Sequence, residues 1–260
     1  MATERPAGTR RLAGLDGVAV KPAAHDLARA AALDAPRLIV DYEGREHVPD
    51  RETLASLADA TDLRVTVPVR ADGFDPLGDD ALARDLPEAA GRVVVAGNPA
   101  YLSAEERERP VAPRLGAAVE AHPDAWVGTE GVERLALATG ATQFELLSRS
   151  TGHDLESLRA AGYDGAVAVY APVVLSSDTD AILDALGDYA ARRAPVADAL
   201  PEGAPTDASA TGRARVVLLS GCREYGLVGD RETVRERAAG LRTAGADVVV
   251  GYPPRGLDAL

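Results

Sequence analysis

The stretch EYGLVGDRETVRERAAGLRTAGADVVVGYPP, residues 224–254, decides the fold. Asp230 can cap a helix whose apolar face carries Val234, Ala238 and Leu241. Gly245 can take the left-handed conformation that stops it, and Val248 to Val250 then read as a short apolar strand. Such a segment is either a lone unit appended to another fold or the closing unit of a series.

The rest of the chain supplies the series. Short apolar runs recur, each bounded by turn residues: GVAVK from Gly17, RLIVDY from Arg37, LRVTVPV from Leu63, RVVVAG from Arg92, AWVG from Ala125, TQFELL from Thr142, GAVAVY from Gly165 and DVVVGY from Asp247. They are nearly continuous rather than alternating, as in strands buried on both faces of a parallel sheet. Helical patterns lie between them at 50–60, 151–161, 177–192 and 230–244. Thr151 with Asp154 reads as a capping box. Eight β/α units in 260 residues predict a single-domain (β/α)8 TIM barrel spanning 1–260. An open doubly wound sheet would show a Gly-rich first turn, and VKPAAHD after the first strand has none.

The irregular part is the 82-residue gap between the last two strand starts. Residues 194–212, rich in Pro, Ala and Gly, read as an exposed linker. RARVVLLSG, from Arg213, reads as an extra strand or a docked helix. Residues 1–14 read as a flexible N-terminus.

Composition narrows the function classes. The net charge is −13, Lys21 is the only Lys, and Asn98 and Gln143 are the only side-chain amides. This surface reads as halophilic, an adaptation to a salty cytoplasm; the alternative is acidic drift in a GC-rich genome. A surface so acidic argues against nucleic-acid binding. There is no run of eighteen apolar residues and no signal-peptide core, so a cytoplasmic protein is expected, with no membrane partner. Cys222 alone supports neither an internal disulfide nor a Cys-based zinc site. The histidines, 25, 47, 122 and 153, lack metal-ligand spacing, and His122 and His153 read as exposed turn residues.

In such barrels chemistry sits where strands end. Lys21 could form a Schiff base or pair with an anion, or be a strand-end charge reaching solvent. Asp41, Tyr42 and Glu43 could hold a polar heterocycle or supply a general acid, or be a solvated loop start. Asn98 in GNPAY could read a ring edge or simply form an Asn-Pro turn. In GTEGVE, 128–133, backbone N–H groups could hold a phosphate, although Glu130 weakens that reading. Arg70, Ser148, Arg149, Tyr170 and Tyr252 are further strand-end candidates. Cys222 reads as an inert thiol.

Several segments together resemble one family. GLVGDRETVRERAAGLRTAGADVVVGYP is similar to the C-terminal signature of the bacterial luciferase-like flavin and deazaflavin oxidoreductases. GAVAVYAPVVLSSDTDAILDAL resembles their seventh strand and its helix. DLARAAALDAPRLIVDYEG with LASLADATDLRVTV resembles their opening, and GTEGVERLALATGATQF their fifth-strand loop and helix. The resemblance implies an oxidoreductase using a deazaflavin (coenzyme F420) or FMN on a small-molecule substrate, with a homodimer as a compatible assembly. In relatives such as methylenetetrahydromethanopterin reductase the fifth-strand loop helps hold the cofactor phosphate. By that resemblance Gly128, Thr129 and Gly131 hold the cofactor phosphate, and Asn98 and Asp41 lie near its ring or the substrate; from the strand-end reading, Asp41, Tyr42 and Lys21 are the catalytic candidates. Two departures stand out: Asp41-Tyr42 replaces the family's frequent Asp-His, and GNPAY replaces its Gly-rich end of strand four. They keep open a barrel that has lost the cofactor and binds a small molecule or partner. A lyase or isomerase with Lys21 or Asp41 as base is a third reading.

Overall fold

The computed structural model describes residues 12–260. The N-terminal stretch expected to be flexible therefore lies largely outside the described residues. Leu12, Ala13 and Gly14, its last members, are buried.

Every apolar run forms a strand where it was expected. The first elements are β1 (Gly17–Val20), α1 (Leu27–Ala31), β2 (Arg37–Val40), α2 (Arg51–Ala60) and β3 (Asp62–Pro68). Next come α3 (Ala81–Asp85), β4 (Gly91–Val95), α4 (Ala104–Glu108), α5 (Val111–Ala121), β5 (Trp126–Gly128) and α6 (Glu133–Ala138). Then follow β6 (Thr142–Leu146), α7 (Thr151–Ala160), β7 (Val167–Leu175), α8 (Thr179–Ala191) and α9 (Ala194–Ala197). The chain closes with α10 (Gly212–Tyr225), β8 (Leu227–Gly229), α11 (Arg231–Ala244) and β9 (Val248–Tyr252). The strand order is β6-β5-β4-β3-β2-β1-β9-β7-β8, with β6 also paired to β7. This is the topology of a (β/α)8 barrel, in which β8 is a short addition to β7. No helix of the described residues is long and apolar enough to cross a membrane.

Two compact units make up the described chain. One comprises 16–145 and 164–168 and carries β1 to β5 and most of β6. Its strands are parallel in steady register, with Val20 opposite Val40, Val40 opposite Val65, and Val93 opposite Trp126. Buried Val, Leu and Ile fill it, among them Val18, Val20, Leu38, Ile39, Val93 and Val127. Asp50 caps α2 as expected, its carboxylate accepting from Thr53 N at 2.7 Å, and Leu54 and Leu57 face the core.

The other unit comprises 12–15, 146–163 and 169–260. Here Asp230 caps α11 by accepting from Thr233 N at 2.8 Å, and Gly245 ends the helix at φ +126°. Gly251 in β9 is required by packing, because a Cβ there would lie 2.4 Å from Leu15 Cδ1 and 2.8 Å from Val173 Cγ2. The N-terminus of α7 departs from the expected capping box. Thr151 is buried and accepts from Ser148 N at 2.9 Å, and the cap residue Ser150 makes no side-chain cap bond.

RARVVLLSG is helical, within α10. Ala214, Leu218, Cys222 and Tyr225 pack with Ile182, Leu183 and Leu186 of α8, and Val174 and Val228 join them from the β7–β8 pair. Residues 194–212, expected to be an exposed linker, are tied down instead. They contain α9, bury Val196 and Ala210 in this same core, and run directly over Gly187, where a Cβ would lie 1.6 Å from Thr206 O. Asp184 accepts from Ala208 N at 2.9 Å, and Thr206 donates its hydroxyl to Asp188.

Candidate functional site

Register brings the first three candidates together. With Val20 opposite Val40, Lys21 and Asp41 are the next residues on neighbouring strands, and Asp41 N donates to Val20 O at 2.8 Å. Tyr42 follows, its backbone N–H donating to Thr66 Oγ1. His25, which the sequence leaves without a role, is buried and folds back on the end of β1, where its Nδ1 lies 3.1 Å from Lys21 N. The ring nitrogen accepts that bond in the tautomer that carries its proton on Nε2. Glu43 accepts from Ala23 N at 3.0 Å, tying the two strand-end loops to each other.

A wall that the sequence does not announce stands beside Tyr42. The loop after β3 carries Phe74, which is fully buried, edge-on to the Tyr42 ring at 5.6 Å and 85°. Tyr101 meets the same ring edge-on at 6.4 Å. Arg70 spends its guanidinium on backbone carbonyls, with Nε to Ala96 at 2.6 Å, Nη1 to Arg107 at 2.8 Å and Nη2 to Gly97 at 3.1 Å. It clamps the loops after β3 and β4 and is not presented to a ligand. Glu106 accepts from Asp72 N at 2.7 Å and Ser103 N at 2.6 Å. Burial works against the Glu106 charge, but these amides and the nearby Arg109 hold its pKa below the ordinary carboxylate value.

Burial, followed by the Glu106 and Glu46 carboxylates against the opposing Arg45, raises the Tyr42 phenol above its ordinary value. Tyr42 therefore keeps its proton at neutral pH and can donate it, but is no base. The crevice framed by Asp41, Tyr42, His47, Thr66 and Phe74 holds about 10 Å³, room for a single water molecule.

Asn98 does a turn's work. It is exposed, and its Oδ1 accepts from Ala100 N at 2.9 Å at the head of the short 3₁₀ turn Pro99–Tyr101. The loop that the resemblance assigns to a cofactor phosphate is equally engaged. A Cβ at Gly128 would lie 2.7 Å from Val95 Cγ1, so strand packing alone requires that glycine. Thr129 N donates to Phe144 O at 3.0 Å. Gly131, at φ +70°, donates its N–H to the Glu133 carboxylate at 3.1 Å. Glu130 adds a second carboxylate to the same turn, and α6 has only six residues. Amides already bound, beside two negative charges, do not fit a phosphate group.

The second unit supplies its own strand ends. The Ser148 hydroxyl lies 3.1 Å from both Ser150 Oγ and Thr151 Oγ1, closing the turn into α7, and Arg149 is exposed. Tyr170 and Tyr252 stack with ring centroids 6.3 Å apart and planes 12° from parallel. Burial pushes the Cys222 thiol up to about 11, which leaves it an inert packing residue. His153 is exposed on α7 rather than in a turn, and His122, at the end of α5, is half-buried. Burial and the neighbouring Arg92 lower the His122 pKa. Among the described residues no three His, Cys, Asp or Glu side chains are grouped as metal ligands. A larger cavity, about 410 Å³, is lined by Leu115, Gly116, Val119 and Glu120 of α5 and by Leu135 and Ala138 of α6.

Comparison with known proteins agrees with this fold. The chain is similar to the crystal structure of apo-MsnO8, a luciferase-like monooxygenase, at a TM-score of 0.53 and 16% identity, over 91% of this chain and 92% of that one. At that identity the likeness establishes the luciferase-like barrel fold. No curated protein matches the sequence. A family model does match residues 10–260, and the chain belongs to that family, the family of unknown function DUF7388.

Proposed function

We propose that this chain is a luciferase-like barrel that binds a small polar molecule where β1 and β2 end, with Lys21, Asp41 and Tyr42 as its contacts. Lys21 offers a cation, Asp41 an acceptor and Tyr42 a phenol that keeps its proton. A ligand with an acidic group and a hydrogen-bond donor suits that trio. The observation that carries the reading is the 128–133 turn, whose Thr129 and Gly131 amides are spent inside the protein beside Glu130 and Glu133. It favours a barrel that works without a flavin phosphate seated there.

The second reading is a deazaflavin- or FMN-dependent oxidoreductase, favoured by the likeness to MsnO8. Bound, such a cofactor would supply the hydride chemistry, and its phosphate would have to be held by residues other than Gly128, Thr129 and Gly131.

Titrating the purified chain with FMN and with coenzyme F420 in concentrated KCl separates the two. The proposal expects no saturable binding, together with thermal stabilisation by small polar metabolites that Asp41→Ala abolishes. A chromophore that copurifies, or micromolar binding of either cofactor, would overturn it in favour of the oxidoreductase.

A further inference from the structure

At the opposite ends of the same strands lies a second cluster. Arg37 opens β2, Asp62 and Arg64 lie at the start of β3, and Trp126 opens β5. The Arg37 guanidinium carbon is 5.0 Å from the centre of the indole, and that of Arg64 is 4.3 Å away. Asp62 lies between the two cations, 2.7 Å from Arg37 Nε and 3.7 Å from Arg64 Nε.

Backbone has been cleared for both arginines. A Cβ at Gly17 would lie 3.0 Å from Arg37 Cβ, and one at Gly91 would lie 3.0 Å from Arg64 Nη1. Trp126 is 5% exposed, so the indole fixes both planar cations from inside the fold.

These guanidiniums are not saturated. Arg37 spends only Nε, on Asp62, and its two terminal nitrogens make no hydrogen bond among the described residues and are not buried. Arg64 gives one terminal nitrogen to Asp124 O at 3.2 Å, and its Nε is buried without a hydrogen-bond acceptor. Arg70, by contrast, bonds through all three of its nitrogens. Arg37 and Arg64, with Arg92 beside the shared Asp124, face the carboxylates of Asp62 and Asp124, three cations against two carboxylates in a chain whose net charge is −13. Paired, indole-braced guanidinium forks with open donors are the arrangement that takes a phosphate-type oxyanion in bidentate fashion.

We infer that Arg37 and Arg64, held on Trp126 at the N-terminal ends of β2, β3 and β5, form a binding site for a phosphate-type oxyanion, separate from the Lys21–Asp41–Tyr42 strand ends. Asp62 orders the two arginines in the empty state and competes with the ligand for the same donors.

Trp126 is the chain's only tryptophan, so its fluorescence reports the site directly. The full chain is titrated with inorganic phosphate at constant ionic strength against KCl. A saturable change in Trp126 emission and a matching rise in Tm are expected. Arg37→Gln, at the more exposed of the two arginines, should weaken binding at least tenfold. Asp62→Asn should tighten it several-fold, because the competing carboxylate is gone. A role confined to holding the strands together predicts the reverse for Asp62→Asn: lower stability and no phosphate response. A flat titration in both the parent chain and a folded Asp62→Asn variant overturns the inference, as does an emission change that KCl alone reproduces.

Discussion

The carboxylate of Asp75 accepts from Arg114 Nε at 2.8 Å, and its other oxygen lies 3.5 Å from Arg109 Nη1, although the Asp75 side chain is only 3% exposed. Arg109 also pairs with Asp72 at 2.8 Å, and Arg45 donates to Asp72 O. This network holds the loop that carries Phe74 against Tyr42. Removing Asp75 would leave the Arg114 guanidinium, whose side chain is 13% exposed, without a counter-charge, while Arg109 would keep Asp72 and Glu105. Asp75→Ala should therefore cost about 3–5 kcal/mol of unfolding free energy. Urea unfolding followed by circular dichroism measures it. A loss within the range of an exposed pair, under about 1 kcal/mol, would mean that the loop is held by Phe74 packing instead.

Gly187 offers a steric test of the 194–212 stretch. A Cβ there would meet Thr206 O at 1.6 Å, far inside contact distance. Gly187→Ala improves the intrinsic helix propensity of α8 but cannot be accommodated without displacing residues 206–207. The expected net effect is a destabilisation of about 1–3 kcal/mol. Faster amide hydrogen exchange should be confined to 198–212. Unchanged exchange there would show that the stretch does not rest on α8.

These two sites also mark where the sequence stops being legible. The eight strands and the helix caps at Asp50 and Asp230 can be read directly, because burial on both faces and helix capping leave local patterns. Residues 194–212 look like a linker because Pro, Ala and Gly are what a linker uses. The same small residues let the chain lie flat on Gly187, and that demand belongs to the partner helix. Asp75 and Arg114 are thirty-nine positions apart with no periodic relation, so no local pattern pairs them. Lys21, Asp41 and Tyr42 can be found because strand ends are predictable. Their neighbours His25 and Phe74 cannot, since only the register and the loop path bring them there. The Gly128–Gly131 reading rests on a Gly-containing turn at a helix start and on the family resemblance, whereas the hydrogen bonds of Thr129 and Gly131 depend on where Phe144 and Glu133 lie.

The caps predict a direction of acid sensitivity. Hydrogen bonds from Thr233, backbone first and then side chain, depress the Asp230 carboxyl below 3.8, and Thr53 does the same for Asp50. A depressed folded-state pKa means that the unfolded chain binds the proton more readily. The stability from these caps is therefore complete above pH 3.8 and is lost as pH falls through the folded-state values. Asp230→Ser keeps a neutral cap and removes the titration. Thermal unfolding between pH 5 and pH 2 should show a shallower fall in Tm for Asp230→Ser than for the parent. Parallel curves would place the acid lability elsewhere.

Net charge makes a prediction for the whole molecule. With 41 acidic residues against 28 basic ones, the folded chain repels itself at low ionic strength. Salt screens that repulsion, so Tm should climb as KCl is raised from about 0.05 M to 1 M, where the screening length falls to about 3 Å. The surface ion pairs work the other way, because Arg37–Asp62, Arg159–Asp247 and Arg215–Asp180 are weakened by the same screening. Each exposed pair is worth under about 1 kcal/mol, and the excess of thirteen unpaired negative charges acts over the whole surface, so the rise should win. Replacing KCl with an uncharged osmolyte of equal osmolarity should reproduce little of the gain. A Tm that falls with KCl would show instead that the ion pairs dominate the balance.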